Sequence, residues 1–213
     1  LLDKALAVAE AHKDERYAFT IIYSDQKSDA PASVTLRFDP RLPEGSRWAL
    51  LSPAESALTK EQRKQFKNLR KSNDADASLI YDRLRDAAAK ARLVSEDAVS
   101  AQFAGPINDP NAPEEVVNSM EITLQLDKPG AFVKAITIAS KAPFKPAAIA
   151  RVDRMEQTQT YEPLIAGGPA ILRGSRTVAI GEAMFRKFDQ QVVMEYRDFE
   201  RVGSGQTAAG AKP

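Results

Sequence analysis

Apolar and polar residues alternate along much of the chain, and this period of two is typical of β-strands with one buried face. The segment 120–127 is the clearest case: Met120, Ile122, Leu124 and Leu126 are apolar, and the residues between them are polar or charged. We therefore expect a strand there with one face packed and the other wet. Similar alternation, bounded by turn residues, predicts further strands at 17–24, 34–38, 47–51, around 93, 99–103, 132–140, 149–161, 171–180 and 192–196.

A helical period appears at the start of the chain and again in its middle. Residues 1–13 carry apolar side chains on one face, which predicts a short helix. Thr59 followed by Gln62 is the signature of a capping box, so a second helix should begin there. A third helical stretch is predicted from about Asp76 onwards. The helices are grouped and do not alternate with strands, which argues against a parallel sheet built from βαβ units.

These elements predict an α+β fold. We expect a strongly curved antiparallel sheet, an open half-barrel of about 8–10 strands, with two or three helices on its concave side. The length of 213 residues suits one domain, placed at 1–202. Residues 203–213 contain no large apolar side chain and are predicted to form a flexible C-terminal tail.

Composition and charge exclude several classes of protein. The chain has no cysteine, which rules out disulfides, thiol nucleophiles and zinc ribbons. Thirty basic residues against 29 acidic ones give a net charge of +1, which argues against a nucleic-acid partner. No apolar run approaches the roughly 20 residues of a transmembrane segment. The first residue is Leu1, so we expect a mature chain whose signal peptide has been removed, although trimming would explain the missing Met equally well.

The sequence offers no catalytic or metal-binding constellation. His12 is the sole histidine, and its place at the end of the first predicted helix suits a partner of the helix dipole. The carboxylate pair Glu114-Glu115 lies in a polar stretch. Acid–base catalysis needs two carboxyl groups in different environments, and this stretch should expose both to solvent. The motif at 167–169 is Gly-Gly-Pro, and the proline removes an amide that a phosphate cradle would use. We therefore predict a protein that is not an enzyme, with no metal and no cofactor.

Two sets of residues are candidates for binding. The first is the apolar side of the sheet, which is either plain core or, if the curled sheet leaves a gap, a hydrophobic ligand site. Its predicted ligand-binding residues are Phe19, Leu36, Trp48, Ile122, Leu124, Ile136, Ile138 and Met194. The second is a basic face of the middle helix, which is either a solvated surface or a contact for anionic lipid or an acidic protein. Its predicted partner-binding residues are Lys60, Arg63, Lys64, Lys67, Arg70 and Lys71.

The segment 34–48, VTLRFDPRLPEGSRW, resembles a feature of the periplasmic lipoprotein-carrier (LolA-like) family. In that family a strand leads through a proline-containing turn into a strand that bears a tryptophan, and the order of helices and strands is similar. The resemblance implies an open half-barrel whose apolar concave face holds acyl chains or a partner's lipid anchor. The chain also resembles secreted proteins of Gram-negative bacteria with a Trp strand, a basic helix and a Pro-Phe-x-Pro segment, here Pro143 to Pro146.

The leading hypothesis from the sequence is a non-enzymatic periplasmic binding or carrier protein for a lipid, an acyl chain or a lipoprotein segment. The alternative is a cell-envelope scaffold that binds another protein through the basic helix or a sheet edge. A third class, a hydrolase, would require carboxylates buried inside a cleft, and the sequence gives no sign of them.

Overall fold

The computed structural model describes residues 1–27, 33–70, 79–81, 84–87, 89–107, 113–147 and 149–204. Its strands are β1 (Glu15–Asp25), β2 (Val34–Phe38), β3 (Trp48–Ser52), β4 (Arg92–Glu96), β5 (Ser100–Pro106), β6 (Met120–Asp127), β7 (Phe132–Ser140), β8 (Phe144–Ala147), β9 (Ala150–Pro163), β10 (Ala170–Ala183) and β11 (Arg186–Ser204). Its helices are α1 (Leu2–Ala11), α2 (Lys60–Leu69), α3 (Leu84–Ala87) and α4 (Glu114–Ser119), with a 3₁₀ turn at Glu55–Ala57.

All the strands belong to one antiparallel sheet in the order β3-β2-β1-β11-β10-β9-β7-β6-β5-β4, with β8 beside β9. Over the described residues β3 and β4 are edges and the sheet does not close. The antiparallel, open sheet predicted from the sequence is therefore confirmed. The expected count of about 8–10 strands was too low, because the sheet has 11. The additional strand is β8, which is short and contains Pro146, so it shows no alternation.

The helix predictions have mixed outcomes. The helix expected at 1–13 is α1, and the capping box starts α2. In the part of the chain that the structure describes, the third predicted stretch contains only the single turn α3. Helix α4 was not predicted, since its acidic first turn was interpreted only as a pair of carboxylates. Strand β11 extends to Ser204, slightly past the expected start of the tail, and the rest of the tail lies outside the described residues.

One continuous core lies against the sheet. In β6 the buried residues are Met120, Ile122, Leu124 and Leu126, as the alternation predicted. Helix α1 packs on β7 and buries Leu6. The segment 79–81 is held against the middle strands, since Leu79 O accepts a hydrogen bond from Leu172 N at 2.9 Å and Val133 N donates to the Tyr81 hydroxyl at 3.0 Å. In this half, the side chains between β6, β7, α1 and the segment 79–81 are closely packed.

An aromatic cluster centred on Phe19 holds the other half together. Its ring centroid lies 5.2 Å from Phe38, 6.1 Å from Trp48, 5.9 Å from Tyr196 and 6.0 Å from Phe199. Four strands therefore meet at one fully buried side chain. Aromatic pairs at these separations add attraction beyond the burial of area.

A β-bulge in β11 completes this cluster. Tyr196 and Phe199 are an odd number of residues apart, so in a regular strand they would face opposite sides of the sheet. At Asp198 the backbone turns to a φ of 52° and the register with β1 shifts, which returns Phe199 to the side of Phe19. The Arg37 guanidinium donates a hydrogen bond to Asp198 O at 2.8 Å and so supports the bulge.

The central place of Phe19 predicts a large loss of stability when its ring is removed. Phe19→Ala should lower the free energy of unfolding by about 3–5 kcal/mol, because a fully buried ring leaves a cavity. The matched control is Phe185→Ala, since Phe185 is 92% exposed, and its effect should stay within about 0.5 kcal/mol. Urea unfolding followed by circular dichroism measures both values. Equal losses for the two variants would contradict the assignment of Phe19 to the centre of the core.

Candidate ligand-binding site

A partly open apolar cavity lies between the sheet and α2, next to the aromatic cluster. Its volume is about 310 Å³. Strands β1, β2, β3 and β11 form its floor and end, and Leu58 and α2 cover it. The lining residues are Ile21, Tyr23, Val34, Leu36, Trp48, Leu58, Gln62, Gln65, Phe66, Leu69, Met194 and Tyr196.

The floor of the cavity follows from the register of three neighbouring strands. Directly opposed residues of β2, β1 and β11 share one face, so their side chains stand in rows across the sheet. The two rows at the cavity are Val34–Tyr23–Met194 and Leu36–Ile21–Tyr196. The side chains of Ile21, Tyr23 and Met194 are only half-buried, which marks the place where the packing of the sheet stops.

The roof is positioned by the capping box of α2. Gln62 N donates to Thr59 Oγ1 at 3.1 Å, and Thr59 N donates to Gln62 Oε1 at 2.9 Å. These bonds fix where the helix starts and therefore which residues face the sheet. Positions three and four apart share a helix face, so Gln62, Phe66 and Leu69 line the cavity together with Gln65.

The end wall contains an unpaired donor. Trp48 is 3% exposed, and its indole Nε1 is buried without a hydrogen-bond partner among the described residues. A buried donor left without an acceptor costs about 1–3 kcal/mol. Because Trp48 lines the cavity, a ligand that carries an acceptor oxygen is a chemically suitable partner.

Two phenols, Tyr23 and Tyr196, add hydroxyl groups to the lining. Burial raises the pKa of Tyr196, and burial together with the nearby Asp25 carboxylate raises the pKa of Tyr23. Both phenols therefore stay neutral at physiological pH. The Tyr196 hydroxyl donates to Met194 Sδ at 3.8 Å, and a thioether is a weak acceptor. The described lining of the cavity is thus uncharged and mostly apolar, with a few hydrogen-bond donors.

A second groove of about 560 Å³ runs along the other side of α2. Arg63, Lys64, Lys67 and Arg70 line it, with Glu55 as the one acidic residue among its described lining residues. Arg70 is oriented by a hydrogen bond from its Nε to Gly45 O at 3.1 Å, and its guanidinium lies 5.9 Å from the ring centroid of Phe66. Phe66 lines both the groove and the cavity, so the two spaces adjoin.

The structure separates the predicted ligand-binding residues. Leu36, Trp48 and Met194 line the cavity, and Phe19 lies behind it in contact with the Trp48 and Tyr196 rings. The other predicted residues lie away from it in the packed half of the sheet, where Ile122, Leu124 and Ile136 are buried and Ile138 is partly buried. The eight residues therefore do not line one common space, because α1 and the segment 79–81 are packed against the half that holds these four.

The predicted partner-binding residues are also divided. Arg63, Lys64, Lys67 and Arg70 come together in the basic groove, whereas Lys60 is exposed at the first turn of α2 and does not line it. Lys71 lies outside the described residues. The cations of the groove could be predicted from the sequence because they are spaced three and four residues apart, which places them on one side of a helix.

Several lining residues were missed from the sequence. Ile21 and Tyr23 share the alternation of Phe19, and Val34 shares that of Leu36, so the period of two could have included them. Leu58 and the two glutamines carried no such signal, since only the tertiary placement of α2 brings them to the cavity.

The largely buried carboxylate of Glu15 belongs to a structural network. Glu15 accepts hydrogen bonds from the Tyr17 hydroxyl and from Arg201, both at 2.5 Å, and lies 2.8 Å from His12 Nδ1. Burial acts to raise the pKa of Glu15, but these partners outweigh it and the net pKa is lowered. The network ties the end of α1 to β1 and β11, and none of its members lines the cavity or the groove.

The described residues hold no cluster of side chains that would bind a metal ion. Among their helices, none combines the length and the apolar character needed to cross a bilayer. No protein-family model, no curated protein and no solved structure matches the chain. What the site does must therefore follow from its own geometry and chemistry.

Proposed function

We propose that the protein is a non-enzymatic carrier that binds an acyl chain of a lipid or lipoprotein in the cavity beneath α2. The main observation that supports this proposal is the apolar cavity of about 310 Å³ between the sheet and this helix. The proposed architecture is a half-barrel whose concave side bears the helices, and the proposed compartment is the periplasm. The resemblance of the segment 34–48 to lipoprotein carriers supports both.

The size and lining of the cavity support an acyl ligand. Ligand sites typically have volumes of about 300–1,000 Å³ and are mostly apolar with a few placed polar groups. This cavity lies at the lower end of that range and has aliphatic and aromatic side chains on its floor. Trp48 Nε1 is suited to an ester or amide carbonyl beside the chain, because it is a buried donor without an acceptor among the described residues.

The cover also suits a carrier. Helix α2 presents only Phe66 and Leu69 as apolar anchors toward the cavity, and the remaining lining residues that it contributes are glutamines. Such a helix has little apolar area to lose when it moves away, so entry of a chain requires only a modest rearrangement.

Filling the cavity should weaken binding of a neutral acyl probe. Monolauroylglycerol, titrated below its micelle concentration, should bind the wild-type chain and change the fluorescence of Trp48, the single tryptophan. Val34→Phe places a ring in the floor of the cavity and should weaken this binding by about tenfold or more, because the chain loses its space. Isothermal titration calorimetry measures the dissociation constants.

The matched control for this prediction is Val99→Phe. Val99 is 60% exposed and lies away from the cavity, so the same substitution there should leave the affinity unchanged. Thermal melts should show both variants folded. Absence of binding by the wild-type chain, or equal binding by the two variants, would contradict the proposed carrier function.

A scaffold function remains the second candidate, and one edge of the sheet favours it. All five residues of the edge strand β4 are exposed, with Leu93 at 52% and Val94 at 62%. An apolar edge strand offers backbone groups and side chains to an added strand of a partner.

Native mass spectrometry of the protein purified from cells separates the two candidates. A lipid that co-purifies with the wild-type chain and is lost in Val34→Phe supports the carrier. A bound polypeptide that is retained in Val34→Phe and lost in Val94→Lys supports the scaffold, because a lysine on an edge disfavours strand addition.

A further inference from the structure

We infer that the ligand of the cavity is an anionic amphiphile whose head group occupies the basic groove on the other side of α2. This inference rests on the proposed function, since it assigns the polar end of the same ligand. Its chemical class is a single acyl or alkyl chain that ends in a phosphate or a similar compact anion.

The two spaces are joined at one side chain. Phe66 is a lining residue of both the apolar cavity and the basic groove. A ligand that passes Phe66 moves directly from an apolar lining to a basic one. This arrangement matches a molecule with an apolar chain and a charged end, and it does not match a uniformly apolar ligand.

The charges along α2 are sorted by face. Gln62, Gln65 and Leu69 line the cavity, whereas Arg63, Lys64 and Lys67 line the groove. Among the described lining residues, the cavity has no cation, and the groove has four cations and one carboxylate, that of Glu55. As far as the described residues show, the helix thus separates an uncharged cavity from a cationic groove.

Arg70 is prepared for a bidentate contact. Its Nε donates to Gly45 O at 3.1 Å, and its guanidinium is placed near the Phe66 ring. A guanidinium has five N–H donors in a rigid fork, so the remaining donors are held in an orientation that suits phosphate or carboxylate oxygens. The Gly45 backbone has a φ of 80°, a conformation that glycine adopts without strain.

Three probes with the same twelve-carbon chain test the inference: dodecyl phosphate, monolauroylglycerol and dodecyltrimethylammonium. In low salt, dodecyl phosphate should bind the wild-type chain about tenfold or more tightly than the neutral probe, and the cationic probe should bind most weakly. Raising the ionic strength should remove most of this preference, because exposed charges are screened. Inorganic phosphate alone should bind far more weakly than dodecyl phosphate.

The variant Arg63→Gln with Lys67→Gln should lose the preference for dodecyl phosphate and keep the affinity for monolauroylglycerol. Lys60→Gln is the matched control, since Lys60 is on the same helix outside the groove, and it should keep the preference.

Equal binding of all three probes by the wild-type chain would overturn the inference and leave the carrier function standing. Binding of none of them would remove the carrier function itself. Preference retained in the double variant would also overturn the inference, as would binding of phosphatidylglycerol vesicles through the groove without binding of any monomeric probe.

A different observation carries a second inference, at the turn between β10 and β11. Met184 has a φ of 50° and Phe185 a φ of 63°. This pair of left-handed residues is typical of a two-residue type I′ hairpin turn, where Asn-Gly is strongly preferred. Large side chains here are conformationally unfavourable, yet Phe185 is 92% exposed and Met184 is 70% exposed.

We propose that this turn inserts into the interface of an anionic membrane. Ile149, 61% exposed, adjoins it through a hydrogen bond from Met184 N to Ile149 O of 2.9 Å, so three apolar side chains form one tip. Arg186 and Lys187 follow in β11 and are exposed. Apolar side chains flanked by cations fit the boundary between acyl chains and anionic head groups.

The test replaces the turn with its preferred residues, Met184→Asn and Phe185→Gly together. This variant should be at least as stable as the wild-type chain in a thermal melt, because it relieves two unfavourable backbone conformations. It should nevertheless lose about tenfold or more of its binding to phosphatidylglycerol vesicles in a flotation assay. Wild-type protein that does not float with these vesicles, or a variant that floats equally well, would overturn the proposal.

Discussion

The packing of four strands around Phe19 is the contact on which the candidate site depends. Phe38 and Trp48 reach Phe19 from β2 and β3, and Tyr196 and Phe199 reach it from β11. This cluster fixes Trp48 as the end wall of the cavity and keeps Tyr196 in its floor. The bulge at Asp198 is required for it, because a regular β11 would turn Phe199 to the other face. The cavity begins where this aromatic packing ends.

Helix α2 lines the apolar cavity with one face and the basic groove with another. Its capping box sets the rotation of the helix about its axis, and that rotation decides which residues face the sheet. A shift of one position would turn a residue by about 100° and bring cations over the apolar floor. Burial of an unpaired charge there would be strongly unfavourable. The capping bonds of Thr59 and Gln62 therefore maintain the separation between the apolar cavity and the basic groove.

The sequence predicted the sheet well where side chains alternate and one face is buried, as in β6. The sequence also proposed as binding residues Leu36, Trp48 and Met194, which line the cavity, and four cations, which line the groove. It failed where the outcome depends on which element covers a given patch. Ile122 and Leu36 look alike in their strands, yet Ile122 is 0% exposed in the packed core while Leu36 faces a gap. The bulge at Asp198 and the length of β11 left no periodic signal, because both result from pairing with distant strands.

The contrast between the two halves of the sheet explains why a cavity exists at one place. Over β6 and β7, the cover is supplied by α1, whose buried residues include Leu6, and by Leu79 and Tyr81, and the interior is closed. Over β1 and β2, the cover is a polar helix whose cavity side includes two glutamines. A glutamine side chain costs more to bury than a leucine of similar length, so it stays near the surface and leaves the floor below it unfilled. Two leucines at those positions would pack closer to the apolar floor, because they carry no amide that must stay hydrated. A sequence optimised for stability alone would carry them, and it would also provide an acceptor for Trp48 Nε1.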